Sequence, residues 1–161
     1  MADGAEGTGE AVKGELTGGC LCGAVRHTLR EGLRLNPYAC HCTDCQSRTG
    51  SAFSEHMLFA LADLTITGEF DIGEFDYSSG AHSRILGCAK CKARIYAVND
   101  AREGLASLRC GTLDESPDLE IEHHIWVSSK QKWLGLPKGA KAMDEQPRTA
   151  ADWASFLGAA T

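Results

Sequence analysis

Seven of the eight cysteines occur in tight groups, the arrangement that metal binding requires. A Cys-x-Cys or Cys-x-x-Cys pair forms a short turn that directs two sulfurs to one point, about 2.3 Å from a Zn²⁺ ion. Disulfide frameworks tend instead to disperse their cysteines over distant loops. The grouping therefore favours metal ligands over disulfides. The groups are Cys20 with Cys22, then Cys40 with Cys42 and Cys45, and finally Cys88 with Cys91, while Cys110 stands alone.

Two of these groups are pairs, and together they supply four thiolates from two loops. Cys20 and Cys22 with Cys88 and Cys91 complete a closed tetrahedral site, as in zinc ribbons. Four free thiols in a core would not need this paired spacing. The sequence therefore predicts a structural Cys₄ zinc site.

The remaining group is a local set of three, Cys40, Cys42 and Cys45. A zinc ion held by three protein ligands keeps a fourth position for water or substrate, which is the arrangement of a catalytic metal. We predict a second zinc ion here, open to an incoming thiol. The alternative is a closed structural site whose fourth ligand is a histidine or Cys110.

Other side chains that could take part in chemistry are more simply explained by packing or solvation. In an extended Cys-x-Cys segment, the His41 side chain points away from the metal. Cys110 has the character of a small buried hydrophobic residue. His56 and His82 are candidates for proton transfer, although nothing local demands it. Two further groups of residues complete the set: His123 and His124 as sheet residues, and Arg48, Lys90 and Lys92 as surface cations that could balance thiolate charge or bind a substrate carboxylate.

The elements that must position the cysteines are predominantly strands. Short apolar stretches separated by glycines predict a mainly β domain. The predicted strands are Gly14–Gly19, Ala24–Leu29, Ala52–Phe59, Leu64–Thr67, Gly73–Tyr77, Ser83–Leu86, Ile95–Val98, Ala106–Arg109 and Ile121–Trp126.

Two short helices accompany the strands. Thr43 and Gln46 have the spacing of a capping box, and Gly50 supplies a left-handed stop, so Cys45 falls in the first turn of a helix. Unpaired N–H groups there favour a thiolate. The second predicted helix, Thr149–Leu157, carries apolar residues on one face. We expect it to dock on the sheet; contact with another chain is the alternative.

The 161 residues and the 43% hydrophobic content are those of one domain with a core. Residues 1–13 are rich in Gly, Ala and Glu and predict a disordered tail. We expect a zinc-binding β domain over residues 14–147 and a helical extension over residues 148–161.

Charge and hydropathy exclude several functions. The net charge is −6 and the 16 Lys and Arg residues are scattered, so a nucleic acid partner is not expected. No apolar run approaches the roughly 18 residues of a membrane span. The first residues lack a basic segment followed by an apolar one, so we expect no export and a cytoplasmic location.

Five segments together resemble the family of glutathione-dependent formaldehyde-activating enzymes, which also includes centromere protein V. The resemblance runs from about Gly14 to Pro147. It implies a β-tent fold of twisted antiparallel sheets built around zinc, with the structural and catalytic ligands divided as the spacing predicts. The segments are Gly18–Arg26, Cys40–Gly50, Cys88–Cys91, Cys110–Asp114 and His124–Val127.

The family resemblance also implies a reaction. It is the addition of glutathione to formaldehyde, which is carbon–sulfur lyase chemistry at the zinc held by Cys40, Cys42 and Cys45. The family's usual Cys-Gly ending of the last pair is Cys91-Lys92 here, and we expect Lys92 to avoid the positive φ that glycine tolerates. Two alternatives remain open: a zinc module that binds another protein, and a protein that releases zinc on oxidation.

Overall fold

The computed structural model describes residues 14–77 and 80–158. Eleven strands and two α-helices follow one another in these two ranges. They are β1 (Leu16–Gly19), β2 (Arg26–Leu29), β3 (Tyr38–Cys40), α1 (Thr43–Thr49), β4 (Ser54–Ala60), β5 (Leu64–Thr67), β6 (Phe70–Asp76), β7 (His82–Cys88), β8 (Arg94–Asn99), β9 (Leu105–Arg109), β10 (His123–Ile125), β11 (Lys141–Ala142) and α2 (Ala150–Leu157).

The strands form two sheets. The smaller has the order β1-β2-β5 and is antiparallel throughout. The larger has eight strands in the order β11-β10-β3-β4-β9-β8-β7-β6. The predicted mainly β fold with short helices is confirmed. The pairing differs from the expected antiparallel arrangement at one edge, because β10 runs parallel to both β3 and β11.

The main core lies between the two sheets. Alternation along β1 and β2 turns Leu16 and Leu29 inward, where they are buried with Ile95 and Leu108 of the large sheet. The cysteine residues Cys20, Cys88 and Cys110 belong to the same buried cluster. The junction of the two sheets carries Cys20, which follows β1 of the small sheet, and Cys88, which ends β7 of the large sheet.

A second, smaller core covers the other side of the large sheet. Helix α2 buries Trp153 and Leu157 against Tyr38 and Ile125, and the Trp153 and Tyr38 rings lie 5.0 Å apart. The capping box of Thr149 and Asp152 fixes the start of this helix. The helix thus docks on the sheet of its own chain, as expected.

Further predictions concern the domain boundaries, the state of the cysteines and membrane spans. The proposed tail, residues 1–13, lies outside the described residues. The division at 147 and 148 stays a prediction. Within the described ranges all eight cysteines are free thiols. No helix of the described part is long and apolar enough to cross a membrane.

Candidate metal centre

The first candidate site is a four-sulfur cluster formed by Cys20, Cys22, Cys88 and Cys91, whose sulfurs all lie within 4.8 Å of one another. The Sγ atoms of Cys20 and Cys22 are 3.6 Å apart, and those of Cys22 and Cys88 are 3.8 Å apart. Four sulfurs placed 2.3 Å from a tetrahedral zinc ion would be separated by about 3.8 Å. The spacing and the soft donor set therefore fit a zinc ion.

Backbone amides support the thiolates of this cluster. The Val25 amide donates to Cys20 Sγ at 3.2 Å, and the Cys91 amide points at Cys88 Sγ at 3.5 Å. Desolvation opposes ionisation of Cys20, but the Val25 amide and the neighbouring thiols lower its pKa to about 6. The chain thus provides a site that favours at least one thiolate before any metal is bound.

The turn that carries Cys88 and Cys91 corrects one expectation. Lys92 adopts a φ of +62°, although we expected a lysine to avoid the left-handed region. Its amide donates to the Cys88 carbonyl at 2.9 Å, which closes the turn around the cluster. The turn geometry therefore overrides the residue's preference, at a cost of about 1–2 kcal/mol. The Lys92 ammonium forms an ion pair with Asp71.

The second candidate site is a three-sulfur cluster formed by Cys40, Cys42 and Cys45, again with all sulfurs within 4.8 Å of one another. Cys40 ends β3 and is buried, while the other two are partly exposed on α1. Cys42 is the N-cap of this helix, because its Sγ accepts the Cys45 amide at 3.3 Å. The capping box predicted for Thr43 and Gln46 does not form, because Cys42 caps the helix one residue earlier. Gly50 ends the helix in the left-handed region, as predicted.

Ionisation within the three-sulfur cluster is uneven. Hydrogen bonds from the Cys40 and Cys45 thiols, assisted by backbone amides, lower the pKa of Cys42 to about 2. The same hydrogen bonds raise the pKa of Cys40, with burial adding to the effect. The partly exposed Cys42 is therefore the first thiol of this site to ionise.

His56 on β4 lies beside the three-sulfur cluster, with its Nε2 atom 3.7 Å from Cys45 Sγ. It is buried, stacks on Tyr38, and places Nδ1 3.0 Å from the Ser107 hydroxyl. Arg109 Nη1 lies 2.6 Å from Nδ1 and 2.8 Å from Nε2, and it donates to the unprotonated ring nitrogen. Desolvation and the positive charge of Arg109 hold the pKa of His56 well below 6.5, so the ring is neutral.

The other histidines named from the sequence lie elsewhere. His41 is fully buried, and its Nε2 is 3.0 Å from Nδ1 of His124 on β10. His123 contacts Phe156 of α2. His82 is at the opposite end of β7 from Cys88, next to Asp76. Among the described residues, neither sulfur cluster includes a histidine.

Cys110 also lies outside both clusters. It is fully buried in the main core, and burial raises the pKa of its thiol to about 12. Cys110 is therefore not placed to be the fourth ligand of the three-sulfur cluster. The alternative of a site closed by a histidine stays a prediction, and His56, whose Nε2 lies 3.7 Å from Cys45 Sγ, is the histidine beside the cluster.

Two arginines near the three-sulfur cluster were not found by sequence reasoning. Arg109 contacts His56, and Arg94 lies within electrostatic range of Arg109, Arg48 and Cys45. Their only sequence signal is a basic residue directly beside a buried apolar one, as in Arg94-Ile95 and Leu108-Arg109. That pattern is common, so it could not have identified them.

The comparisons with known proteins identify a family. A family profile described as glutathione-dependent formaldehyde-activating enzyme matches residues 15–129, more than half of the chain. No curated protein sequence gives a significant match. A crystal structure of a Rhodobacter sphaeroides protein aligns with 16% identity and a TM-score of 0.48, covering 65% of this chain and 96% of that one. This structural likeness is too weak to carry an inference. The extent of the profile match shows that the chain belongs to the glutathione-dependent formaldehyde-activating enzyme family.

Proposed function

We propose that this protein is a zinc-dependent enzyme that makes or breaks the carbon–sulfur bond between formaldehyde and a small thiol such as glutathione. The observation that carries the proposal is the three-sulfur cluster. Cys40, Cys42 and Cys45 converge, and no fourth Cys, His, Asp or Glu of the described part joins them. Three protein ligands are the number that leaves a position open for a substrate.

The two clusters would have different roles in this proposal. The four-sulfur cluster would hold a structural zinc ion, since four thiolates fill a tetrahedral site. The three-sulfur cluster would hold the catalytic zinc ion. When bound there, zinc would supply a Lewis acid that favours the thiolate form of an incoming thiol.

A residue of the chain must accept one proton and later donate it. In the addition direction, the substrate thiol loses its proton and its sulfur forms a bond to the carbonyl carbon of formaldehyde. The carbonyl oxygen takes up a proton, so that the product is an S-hydroxymethyl hemithioacetal. We propose that Nε2 of His56 takes up this proton and later returns it, because Nε2 is 3.7 Å from Cys45 Sγ. This role requires the tautomer in which Nδ1–H donates to the Ser107 hydroxyl, 3.0 Å away, and Nε2 is unprotonated. In that tautomer Arg109 Nη1, 2.8 Å from Nε2, holds the ring in place.

The decisive experiment follows exchange between free and glutathione-bound formaldehyde by NMR, because this adduct also forms without an enzyme. Zinc-loaded wild-type protein is expected to accelerate the exchange, whereas Cys42→Ala is not. Calorimetry with glutathione supplies a second readout that needs no turnover. The proposal fails if metal-replete protein binds no glutathione and Cys42→Ala accelerates exchange as the wild type does.

A further inference from the structure

A β-bulge decides which face of the large sheet carries Arg94. Along the β7–β8 pair, Ile85 lies opposite Ala97 and Leu86 lies opposite Tyr96, but Gly87 lies opposite Arg94. Ile95 is the extra residue of the bulge. Because side chains alternate along a strand, Arg94 falls on the face of Ile85 and not on the face of Tyr96.

The same face carries the residues beside the three-sulfur cluster. Ala97 pairs with Ser107 on β9, so Arg109 two residues later shares this face, and Arg109 pairs with His56 on β4. Arg94, Arg109 and His56 therefore lie on one face, next to Cys45. Without the bulge, Arg94 would point to the other side of the sheet.

Both arginines are incompletely satisfied. Within the described ranges, Arg94 Nη1 and Arg109 Nε are buried and have no hydrogen-bond partner. The Nη1 atom of Arg109 already donates to the Ser54 hydroxyl and contacts the His56 ring. Buried guanidinium N–H groups that lack an acceptor are costly, and two neighbouring cations also repel each other. An anion would relieve both costs.

A groove next to Arg94 has room for such an anion. Its volume is about 280 Å³, and it extends from α1 to the four-sulfur cluster. Arg48 reaches it from α1 and stacks on Phe75, with Cζ 3.9 Å from the ring centroid. The two acidic residues of the groove already have partners: Asp71 pairs with Lys92, and Glu74 lies 3.8 Å from the His82 imidazole. Neither Arg48 nor Arg94 forms an ion pair in the described part.

We propose that Arg94 and Arg48 bind a carboxylate of the substrate in this groove, so that the enzyme selects thiols that carry a carboxylate. The planar guanidinium matches a carboxylate through two parallel hydrogen bonds, and the charge of the site is already positive. The inference rests on the proposed function for the thiol, and it adds the chemical class of the rest of the substrate. Uncharged thiols are expected to be poor substrates.

The test uses a ligand whose sulfur cannot ionise, so that carboxylate recognition is measured apart from thiol chemistry. The zinc-loaded protein is titrated by calorimetry with S-methylglutathione and with its diester, in which both carboxylates are blocked. Wild-type protein is expected to bind the free acid at least about tenfold more tightly than the diester. Arg94→Met is expected to lose that preference, and Arg94→Lys to recover only part of it.

Arg84→Met is the matched control. Arg84 is an exposed arginine of β7 that pairs with Val98, so it lies on the opposite face of the sheet from Arg94. The Arg84→Met variant is expected to keep the full preference for the free acid.

Three outcomes would each overturn the inference. They are equal binding of acid and diester by the wild type, a preference that survives Arg94→Met, and no binding of S-methylglutathione. If Arg94→Met does not fold, the comparison of acid and diester in the wild type still decides. A carboxylate preference in a protein that does not accelerate formaldehyde exchange would instead contradict the proposed function alone.

Discussion

The sulfur of Cys45 lies 3.7 Å from Nε2 of His56, which joins the three-sulfur cluster to a buried imidazole on β4. If His56 holds the proton during catalysis, His56→Gln should lower kcat about a hundredfold or more, the usual contribution of general acid–base groups. Zinc content should stay at two equivalents, because His56 belongs to neither cluster. His82→Gln is the control, since that partly exposed histidine pairs with Asp76 away from the site. An equal loss of kcat in both variants would contradict the role of His56.

Loss of one ligand should affect the two clusters differently. Cys88 is buried in the main core, and Cys88→Ser should give insoluble or protease-sensitive protein. A structural zinc ion contributes about 10–16 kcal/mol of apparent binding free energy, comparable with or larger than the 5–15 kcal/mol stability of a typical domain. Cys45→Ala should remain folded by circular dichroism. Wild-type melting of Cys88→Ser would show that the four-sulfur cluster has no structural role.

Metal release should be biphasic. The sulfurs of Cys22 and Cys88 meet across 66 positions of sequence, so release from the four-sulfur cluster requires wide opening of the domain. The three-sulfur cluster comes from one short segment, Cys40–Cys45, and each departing thiolate accepts a proton. A chromogenic chelator should therefore remove one equivalent quickly, and faster as the pH falls, without loss of β structure. Cys45→Ala should lack this fast phase, and a single phase in the wild type would contradict the division of roles.

Lys92 is a position where substitution should stabilise the protein. Its φ of +62° suits glycine, so Lys92→Gly should raise the free energy of unfolding by about 1 kcal/mol, less any contribution from the exposed Asp71 pair. Chemical denaturation of the zinc-loaded protein measures the change. Lys90→Gly in the same turn is the control and should not stabilise, because Lys90 does not have a positive φ. Stabilisation by both variants would point to loss of charge instead of relief of backbone strain.

Stability should fall as the pH drops below about 6.5, in part because of His27. Desolvation and the nearby Arg26 lower the pKa of this histidine, so the unfolded chain binds a proton before the folded one does. The stabilisation that comes from keeping His27 neutral is fully present above pH 6.5. It is lost as the pH falls, and the free energy of unfolding drops by at most about 1.4 kcal/mol per pH unit. Thr112 donates to the Arg109 carbonyl and therefore accepts from His27 Nε2, which leaves Nδ1 buried and without a partner in the described part.

The measurement for His27 compares denaturation midpoints of the wild type and His27→Gln from pH 7 to pH 5 at constant zinc. Glutamine can still donate to Thr112 but does not titrate, so its midpoint should fall less steeply. Parallel curves would show that His27 contributes nothing to the pH dependence.

The sequence by itself determined the features that depend on near neighbours. The spacing of Cys20 and Cys22, of Cys40 to Cys45, and of Cys88 and Cys91 predicted groups that the structure does bring together. Alternation and glycine positions located nine strands, with Leu64–Thr67 correct to the residue. Each of these signals lies within a few residues, because short turns and side-chain alternation are local properties of the chain.

Only the tertiary structure decided the rest. The three-residue strand β3, too short for any periodicity, exists because it lies between β4 and β10 and pairs with both. Lys92 has a positive φ because a turn around four sulfurs requires it. Arg94 reaches the Arg109 face because of one extra residue in a strand pair. Register, bulges and parallel edges depend on which distant segments meet, and such pairing leaves no mark in the local sequence.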